Sequence, residues 1–181
     1  MSKKEYIDLF WLTVKYLVVA VVIAVVVRGF LLIPVPVVGN SMETTLAQND
    51  MVLMERISEV KRFDVVVFRL SSGTTYIKRV IGMPGDTLRY EDDQLYINDQ
   101  PVSEPFLKES VKKDKLKNHF TNDFSLEDLT GETELGPDSY FVMGDNRRNS
   151  KDSRSFGAIT SSDIIGKARL VYYPVKHWRI I

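Results

Sequence analysis

An uncharged apolar run near the N-terminus is the first strong feature of the hydrophobic pattern. The 18 residues from Phe10 to Val27 carry a single charge, that of Lys15, and the last twelve of them are mostly aliphatic. A helix of that length rises about 27 Å, which is close to the thickness of the hydrocarbon core of a bilayer. The pattern therefore predicts one transmembrane anchor over residues 10–28.

Two other interpretations of this run stay open, a cleavable signal peptide and a buried core helix. The residues after the run, "RGFLLIPVPVVGNS", offer no small-x-small cleavage site, which disfavours a signal peptide. No face of the run is more polar than another, whereas a helix at the edge of a small core keeps one polar face. A membrane anchor is therefore the preferred interpretation.

Basic residues set the expected orientation of the anchor. Those that precede its uncharged part are Lys3, Lys4 and Lys15. Because cytoplasmic flanks are enriched in Lys and Arg, they favour a cytoplasmic N-terminus, whereas Arg28 on the far side opposes it. We expect residues 1–9 in the cytoplasm and residues 29–181 as an extracytoplasmic domain. The next stretch, "FLLIPVPVV", is also apolar, and its two prolines forbid a helix, so we expect it to lie extended along the membrane surface.

After Leu46 the hydrophobic pattern changes to short apolar or alternating runs. These are "DMVLMERI", "DVVVFRL", "TTYIKRVIG", "LYINDQPV", "SYFVMGD" and "ARLVYYPV". Such runs are typical of strands, and the Gly, Pro, Asp and Asn residues between them are typical of turns. We count about eight strands and no long amphipathic helix, which predicts an antiparallel β domain, either a sandwich or a barrel. The segment 107–129 is heavily charged, and we expect an exposed insertion with at most a helical turn.

Composition excludes several classes of function. Lys+Arg and Asp+Glu both total 24, so the chain lacks the excess positive charge that broad nucleic-acid binding needs. The absence of cysteine excludes disulfides, thiolate zinc sites and cysteine nucleophiles. With only two histidines, a His-rich metal site is disfavoured, and no phosphate-binding or dinucleotide-binding loop is present. We expect no metal, no cofactor and no nucleic-acid partner.

A serine and a lysine are candidates for nucleophilic chemistry, although each alone is more often structural. Ser41 lies in "GNSM", where Gly39 and Asn40 can hold it on a tight, exposed turn. Lys78 lies inside an apolar run, either as an edge-strand charge or as a buried base whose pKa has fallen from about 10.4 by roughly two to three units. Both histidines, His119 and His177, lie in segments expected at the surface, so lysine is the available base for a serine nucleophile.

The loop "GDNRRNSKDSRSFG", residues 144–157, is unusually polar for a segment that directly follows an apolar strand. A solvated charged loop is the usual interpretation of such a run. However, Asp and Arg at alternating positions can form bidentate pairs that hold a loop rigid. Ser150 in this loop can hydrogen-bond a lysine and orient it.

Four segments, in this order, resemble the bacterial type I signal peptidases, especially the short single-anchor forms typical of Gram-positive bacteria. They are the anchor followed by "GNSMETTL", the pair "NDMVLMERI" and "FDVVVFRL", then "YIKRVIGMPGD", and last "GDNRRNSKDSRSFG". The resemblance spans residues 37–157, and its third and fourth segments are highly specific. It implies a mainly β fold of two antiparallel β-sheets, as in signal peptidases and self-cleaving repressors, with residues 86–136 as a reduced second region.

The resemblance also implies a role for individual residues. Ser41 matches the nucleophile and Lys78 the general base of a Ser-Lys dyad, and Ser150 matches the serine that orients the lysine. The residues implied to support the site are Asp152 and Arg154, as a buttressing pair, and Asp145 and Arg147 in the same loop. The oxyanion hole would use the backbone N–H of Ser41 and, because Gly39 stands where other members have a serine, a backbone N–H there. The positions implied to line the substrate pockets are Val37, Met42, Leu46, Tyr76 and Ile77.

Three positions depart from the family pattern without removing a chemical group. Thr44 stands where the family usually has proline, and Asn49 and Phe63 stand where glycine is common. The first change loosens the turn after the nucleophile, because proline restricts the backbone more than threonine does.

The resemblance implies a membrane-anchored serine endopeptidase of the plasma membrane that cleaves signal peptides from exported preproteins after Ala-x-Ala sites. Its expected partners are preproteins, the bilayer and nearby export machinery, and the expected state is a monomer. Shallow pockets would select small side chains. Three alternatives stay open. One is a non-catalytic relative that assists assembly of surface structures or pili, and another is a peptidase dedicated to one such precursor. The third is a self-cleaving repressor, which would need a DNA-binding domain where this chain has its anchor.

Overall fold

The computed structural model describes residues 3–26, 33–116 and 118–181. Helix α1 spans Lys3–Val26 and is long and apolar enough to cross a membrane. Its apolar side chains are exposed, Trp11 and Leu17 to 64% each, so within the described residues it does not pack as a core helix. The helix begins before the predicted anchor because Lys and Glu are good helix formers and extend the hydrogen-bonded backbone past the apolar run. The predicted end of the anchor at residue 28 lies outside the described residues.

The rest of the described chain is mainly β. Its strands are β1 (Ile33–Pro36), β2 (Met51–Glu55), β3 (Val65–Arg69), β4 (Thr75–Gly82), β5 (Leu88–Glu91), β6 (Gln94–Ile97), β7 (Gln100–Val102), β8 (Phe124–Ser125), β9 (Ser139–Met143), β10 (Ile159–Thr160), β11 (Ile164–Tyr173) and β12 (Arg179–Ile180). Its short helices are α2 (Lys108–Lys113), α3 (Leu126–Thr130) and α4 (Ser153–Phe156).

The strands form two sheets in which every pairing is antiparallel. The larger sheet has the order β1-β2-β11-β3-β4-β9-β10, with β12 paired to β11. The smaller sheet has the order β7-β6-β5-β8 and is built from the part of the chain between β4 and β9. The predicted fold class, mainly β with two antiparallel sheets after an N-terminal apolar helix, is confirmed.

The proline-containing stretch after the anchor contributes an edge strand. Residues 33–36 form β1, which pairs with β2 so that Ile33 lies opposite Met54. Pro34 and Pro36 are exposed and alternate with the half-buried Ile33 and Val35. Proline is tolerated there because an edge strand leaves one row of backbone groups unpaired. The extended conformation was expected, but here it is held by a sheet; residues 30–32 of this stretch lie outside the described residues.

Strand β4 lies in the middle of the larger sheet, between β3 and β9. Val80 belongs to a cluster with Val66, Phe68, Val142 and Ile159. Ile81 belongs to another cluster, which includes the inward-facing residues of the smaller sheet. Because both faces of β4 are covered, residues 78–82 are all buried, whichever way their side chains point. This explains why Lys78, which lies in this run, is shielded from water.

The charged segment 107–129 is not exposed throughout. Its buried residues are Leu107, Ser110, Phe120, Thr121 and Leu126. Helix α2 lies in this segment, and Ser110 on it contacts Thr44 in the turn that follows β1. The segment thus packs against the loop that carries Ser41.

Candidate active site

Ser41 lies on a tight turn between β1 and β2. Gly39 enters the turn at φ +86°, a conformation that glycine adopts without strain. The turn is closed by backbone hydrogen bonds from Glu43 N to Asn40 O, 3.1 Å, and from Leu46 N to Met42 O, 2.8 Å. Met42 and Leu46 are buried in the core and hold the turn down, whereas Ser41 stays partly exposed.

Lys78 reaches Ser41 from β4. Its Nζ lies 2.6 Å from Ser41 Oγ and donates a hydrogen bond of 3.0 Å to the carbonyl of Ile77. The lysine is only 2% exposed. Burial lowers the pKa of Lys78 from 10.5 to about 8, although the nearby carboxylates Asp152 and Asp145 oppose this by stabilising the charged amine. An amine with this pKa carries no proton in a large fraction of molecules at about pH 8, and can then accept one from a hydroxyl in hydrogen-bond contact.

Two bidentate ion pairs lie near Lys78. Asp145 accepts hydrogen bonds of 2.8 and 2.6 Å from Arg79, the residue after Lys78. Asp152 accepts two hydrogen bonds of 2.8 Å from Arg154 and one of 3.0 Å from Gly144 N. Burial alone would raise the pKa of Asp152, but the hydrogen bonds and charge of Arg154 hold it below its ordinary value. Of the Asp and Arg residues that alternate in the loop 144–157, Asp152 and Arg154 therefore pair within the loop, as expected. Asp145 instead pairs with Arg79 of β4.

Arg147 joins the smaller sheet to the same loop. It is 3% exposed and donates hydrogen bonds of 2.5 Å to Glu104 and 2.6 Å to the hydroxyl of Tyr90. Its Nε donates to the carbonyl of Gly144 over 3.1 Å. Arg147 thus does not pair with Asp145, and it links residues 86–136 to the loop beside Ser41.

Ser150 lies close to the dyad without a hydrogen bond to it. Its Oγ is buried, and no hydrogen bond joins it to Ser41 or Lys78 within the part of the chain that the structure describes; it lies near the carboxylate of Asp152, whose pKa it helps to lower. Gly144 leaves room for it, because a Cβ at residue 144 would collide with both Ser150 Oγ and the carbonyl oxygen of Ser41. The absence of a side chain at Gly144 thus lets Ser150 approach the backbone of Ser41.

Backbone donors are available next to Ser41. The N–H groups of Gly39 and Ser41 have no hydrogen-bond partner among residues 3–26, 33–116 and 118–181. By contrast, the carbonyl of Ser41 accepts a hydrogen bond of 3.0 Å from Asn146 N, which fixes the orientation of the peptide that follows Ser41. Free N–H groups beside a nucleophile can stabilise the negative charge that develops on a substrate carbonyl.

A groove of about 460 Å³, lined mainly by apolar side chains, runs along Ser41 and Lys78; we call it the apolar groove. Its lining residues are Val35, Pro36, Val37, Val38, Gly39, Ser41, Met42, Thr75, Tyr76, Ile77, Lys78 and Lys151. Four of the five residues expected at the substrate pockets line it. Leu46 does not line it, and its fully buried side chain belongs to the same core cluster as Val37 and Met42.

The two histidines lie in other surroundings. His177 Nδ1 is 2.6 Å from the buried carboxylate of Asp50, and His119 lies 3.8 Å from Asp92. Neither contacts Ser41 or Lys78 among the described residues. In the same part of the chain, no group of three or more His, Asp or Glu side chains is arranged to hold a metal ion.

Sequence reasoning missed three residues of the site. Arg79 directly follows Lys78 in an apolar run, and a second buried charge there was a signal for an acidic partner. Lys151 lies in the polar loop described above, but nothing in the sequence places it on the groove. Glu104 is a long-range partner without a local signal.

The arrangement combines a hydroxyl, a buried amine of lowered pKa, free backbone N–H groups and an apolar groove. These are the parts needed for nucleophilic acyl transfer from an extended peptide.

Comparisons with known proteins point to one family. The family model for signal peptidase, peptidase S26, matches residues 10–173. "Signal peptidase I V" of Bacillus subtilis (strain 168) is 44% identical over 153 residues, which cover 82% of this chain and 90% of that protein. "Signal peptidase I" of Bacillus caldolyticus is 39% identical over 164 residues, covering 88% and 90%. The crystal structure of a signal peptidase I from Enterococcus faecalis V583 superposes with a TM-score of 0.59 at 37% identity, covering 62% of this chain and 98% of that one.

Proposed function

This chain belongs to the signal peptidase family, peptidase S26, and from that membership and the geometry around Ser41 we propose that it is a membrane-anchored serine endopeptidase with a Ser41–Lys78 dyad. The chain is a peptidase, a hydrolase, and its family function is the cleavage of signal peptides. The single observation that carries the dyad is the 2.6 Å separation of Lys78 Nζ from Ser41 Oγ, with the amine buried in β4.

The proposed reaction begins with uncharged Lys78. The amine takes the proton of Ser41 Oγ as the oxygen attacks the carbonyl carbon of the scissile bond. The N–H groups of Ser41 and Gly39 stabilise the oxyanion. The lysine then returns the proton to the leaving amine, and an acyl-enzyme remains on Ser41. A water molecule, deprotonated by the same lysine, attacks the ester carbonyl. As the bond to Ser41 Oγ breaks, the lysine returns this proton to the serine oxygen and the carboxylic acid product leaves.

Other residues of the site have supporting roles in this proposal. The Arg79–Asp145 pair fixes β4 against the loop after β9, and the Arg154–Asp152 pair fixes that loop internally. Ser150 Oγ, which is buried near Gly144 and Asp152, is proposed to hydrogen-bond Lys78 during the reaction and to orient it.

The apolar groove binds the residues that precede the scissile bond. Val37, Met42, Tyr76 and Ile77 give it bulky walls, so the depressions between them are shallow. Shallow apolar pockets accept Ala and reject larger side chains by steric overlap, which accounts for cleavage after small-x-small sequences. Leu46 contributes from behind by supporting Met42.

Helix α1 anchors the peptidase in the plasma membrane in this proposal, with its N-terminus in the cytoplasm and the β domain outside. Its substrates are preproteins whose signal helices lie in the same bilayer, next to the export machinery that delivers them. The peptidase acts as a monomer. Two partners held in one membrane meet at a high effective concentration.

The test is cleavage of a signal-peptide-bearing preprotein by the purified full chain in lipid. We expect cleavage by the wild type, none by Ser41→Ala or Lys78→Ala, and none when the Ala-x-Ala site carries bulky residues. Activity of Lys78→Ala equal to wild type would reject the dyad. A folded wild type that cleaves no preprotein would reject the function and favour the non-catalytic assembly factor.

A further inference from the structure

A second, smaller pocket lies beside the nucleophile turn. It encloses about 180 Å³ between that turn and helix α2, and we call it the α2 pocket. Its lining residues are Glu43, Thr44, Ser110, Lys113, Asp114, Phe120, Asn146 and Arg148. It shares no lining residue with the apolar groove, and it begins two residues after Ser41. Ser41 thus lines the apolar groove, and the α2 pocket begins on the same turn at Glu43.

The α2 pocket has walls that hydrogen bonds hold in place. Ser110 on α2 is 7% exposed, and its Oγ accepts a hydrogen bond of 3.3 Å from Thr44 N and donates one of 3.3 Å to the carbonyl of Glu43. At the end of α2, Asp114 accepts hydrogen bonds of 3.0 and 2.8 Å from Arg148. The helix is thus tied both to the nucleophile turn and to the loop after β9.

Two charges in the α2 pocket are left for a ligand. Asp114 and Arg148 neutralise each other. Glu43 on the turn and Lys113 on α2 are exposed, and neither side chain has an ion-pair or hydrogen-bond partner among the described residues. Both line the α2 pocket, the acidic Glu43 from the turn and the basic Lys113 from α2.

A peptide that Ser41 attacks must continue past the nucleophile on both sides. The proposed function, on which this inference rests, assigns the residues before the scissile bond to the apolar groove. The residues after the bond then leave on the other side of Ser41, along Glu43 and Thr44. Since successive side chains of an extended peptide point in opposite directions, one of them faces the turn and its neighbour faces α2.

We propose that the α2 pocket binds the first residues of the mature protein, the segment that follows the scissile bond, and selects their charge. A basic side chain is favoured at the position that faces Glu43. An acidic side chain is favoured at the adjacent position, which faces Lys113. The pocket thus gives the peptidase a preference among preproteins that share the same Ala-x-Ala site.

The test uses the full-length protein in lipid and a set of preproteins with one cleavage site. Each of the first four residues after the cut is in turn Lys or Asp, and the others are neutral. The measured quantity is the ratio of kcat/KM for the Lys and Asp versions at each position. For the wild type we expect Lys to be favoured at one position and Asp at an adjacent one, by about two- to five-fold, as for partly exposed ion pairs.

Charge reversal identifies the residues responsible. Glu43→Lys should reverse the preference at the position that faces Glu43 and leave the other unchanged. Lys113→Glu should reverse the preference at the position that faces Lys113 and leave the first unchanged. Glu43→Gln and Lys113→Gln should abolish each preference without reversing it. The matched control is Lys112→Glu, which makes the same charge change on the same helix, at an exposed residue outside the pocket. Its ratios should equal those of the wild type.

Each failure has a distinct signature. If neutral preproteins are cleaved but the ratios do not respond to changes at residues 43 and 113, the α2 pocket is not the binding site and the proposed function stands. The α2 pocket is also rejected if Lys112→Glu shifts the ratios as much as Lys113→Glu, because that indicates long-range steering. If no preprotein is cleaved by the folded wild type, the proposed function fails and this inference fails with it.

Discussion

The role proposed for Lys78 requires that it be uncharged. Because the pKa of Lys78 is about 8, the fraction of molecules with an uncharged amine rises as the pH approaches 8, and above pH 8 most molecules have it. We expect kcat/KM to rise about ten-fold per pH unit below pH 8 and to level off above it. A pH series on a preprotein whose first mature residues are neutral measures this directly. A profile that is already flat at about pH 6 would assign the proton transfer to a different group.

Gly144 lies where even a methyl side chain would not fit beside Ser41. A Cβ there would collide with Ser150 Oγ and the carbonyl oxygen of Ser41. We expect Gly144→Ala to shift the nucleophile turn and lower kcat/KM by about a hundred-fold, because displacements of about 1 Å at a reacting atom have effects of that size.

A second glycine supplies the control for this change. A Cβ at Gly166 in β11 would collide with the carbonyl of Glu55 and the side chain of Met54, away from the dyad. Both variants should unfold at lower denaturant concentrations, by about 1–3 kcal/mol, as overpacked sites do. Where both are folded, only Gly144→Ala should lose activity; equal activities would remove Gly144 from the site.

Helix α2 explains how the turn after the nucleophile tolerates Thr44 in place of proline. The Thr44 N–H, which proline lacks, donates to Ser110 Oγ, and Thr44 Oγ1 lies 3.4 Å from the same atom. We expect Ser110→Ala to reduce the free energy of unfolding by about 1 kcal/mol. Thr44→Pro should add less in the Ser110→Ala background than alone, because the contact is already gone. Ser103→Ala, at an exposed position, is the control for this double-mutant cycle, measured by urea unfolding. Additive effects would contradict the coupling.

A buried ion pair helps to tie the region of the smaller sheet to the loop after β9. Arg147 has no exposed side-chain surface and Glu104 has 7%, so neither charge can be solvated if its partner is removed. Glu104→Gln should therefore reduce the free energy of unfolding by about 3 kcal/mol. Asp99→Asn removes an exposed ion pair with Arg89 on the same sheet and should change it little. Similar effects of the two changes in urea unfolding would mean that Glu104 does not carry the link.

The same elements show which parts of the structure a sequence can predict. The long runs around Lys78 and Phe141 alternate or stay apolar for five residues or more, and each is a strand. The strands that were missed have two to four residues, such as Phe124–Ser125, or contain prolines, as β1 does. Two to four residues are too few to show an alternating hydrophobic pattern. Such strands form because they pair with a neighbouring strand, which the local sequence does not reveal.

The candidate site divides in a similar way. Ser41 and Lys78 were named because local motifs around them resemble a family, and the fold brings their side chains together. The contacts of Arg147 with Glu104 and of Thr44 with Ser110 join residues more than 40 positions apart, and no local pattern specifies them. Leu46 matches a pocket position by motif, and its side chain lies in the core cluster with Val37 and Met42 without lining the apolar groove.

At the scale of the whole molecule, the bilayer contributes to catalysis in the proposed function because it holds the enzyme and its substrate together. Helix α1 restricts the β domain to the membrane surface, and the signal helix of a preprotein restricts the cleavage site to the same surface. When both are reconstituted in the same vesicles, we expect cleavage at least about a hundred-fold faster than when equal amounts are in separate vesicles, because tethering raises the effective concentration by that order. A soluble peptide with the same Ala-x-Ala site has no membrane helix and should be cleaved equally in both arrangements, which controls for the amount of active enzyme. Equal preprotein rates in shared and separate vesicles would mean that α1 does not contribute to substrate capture, and that the apolar groove and the α2 pocket alone account for recognition.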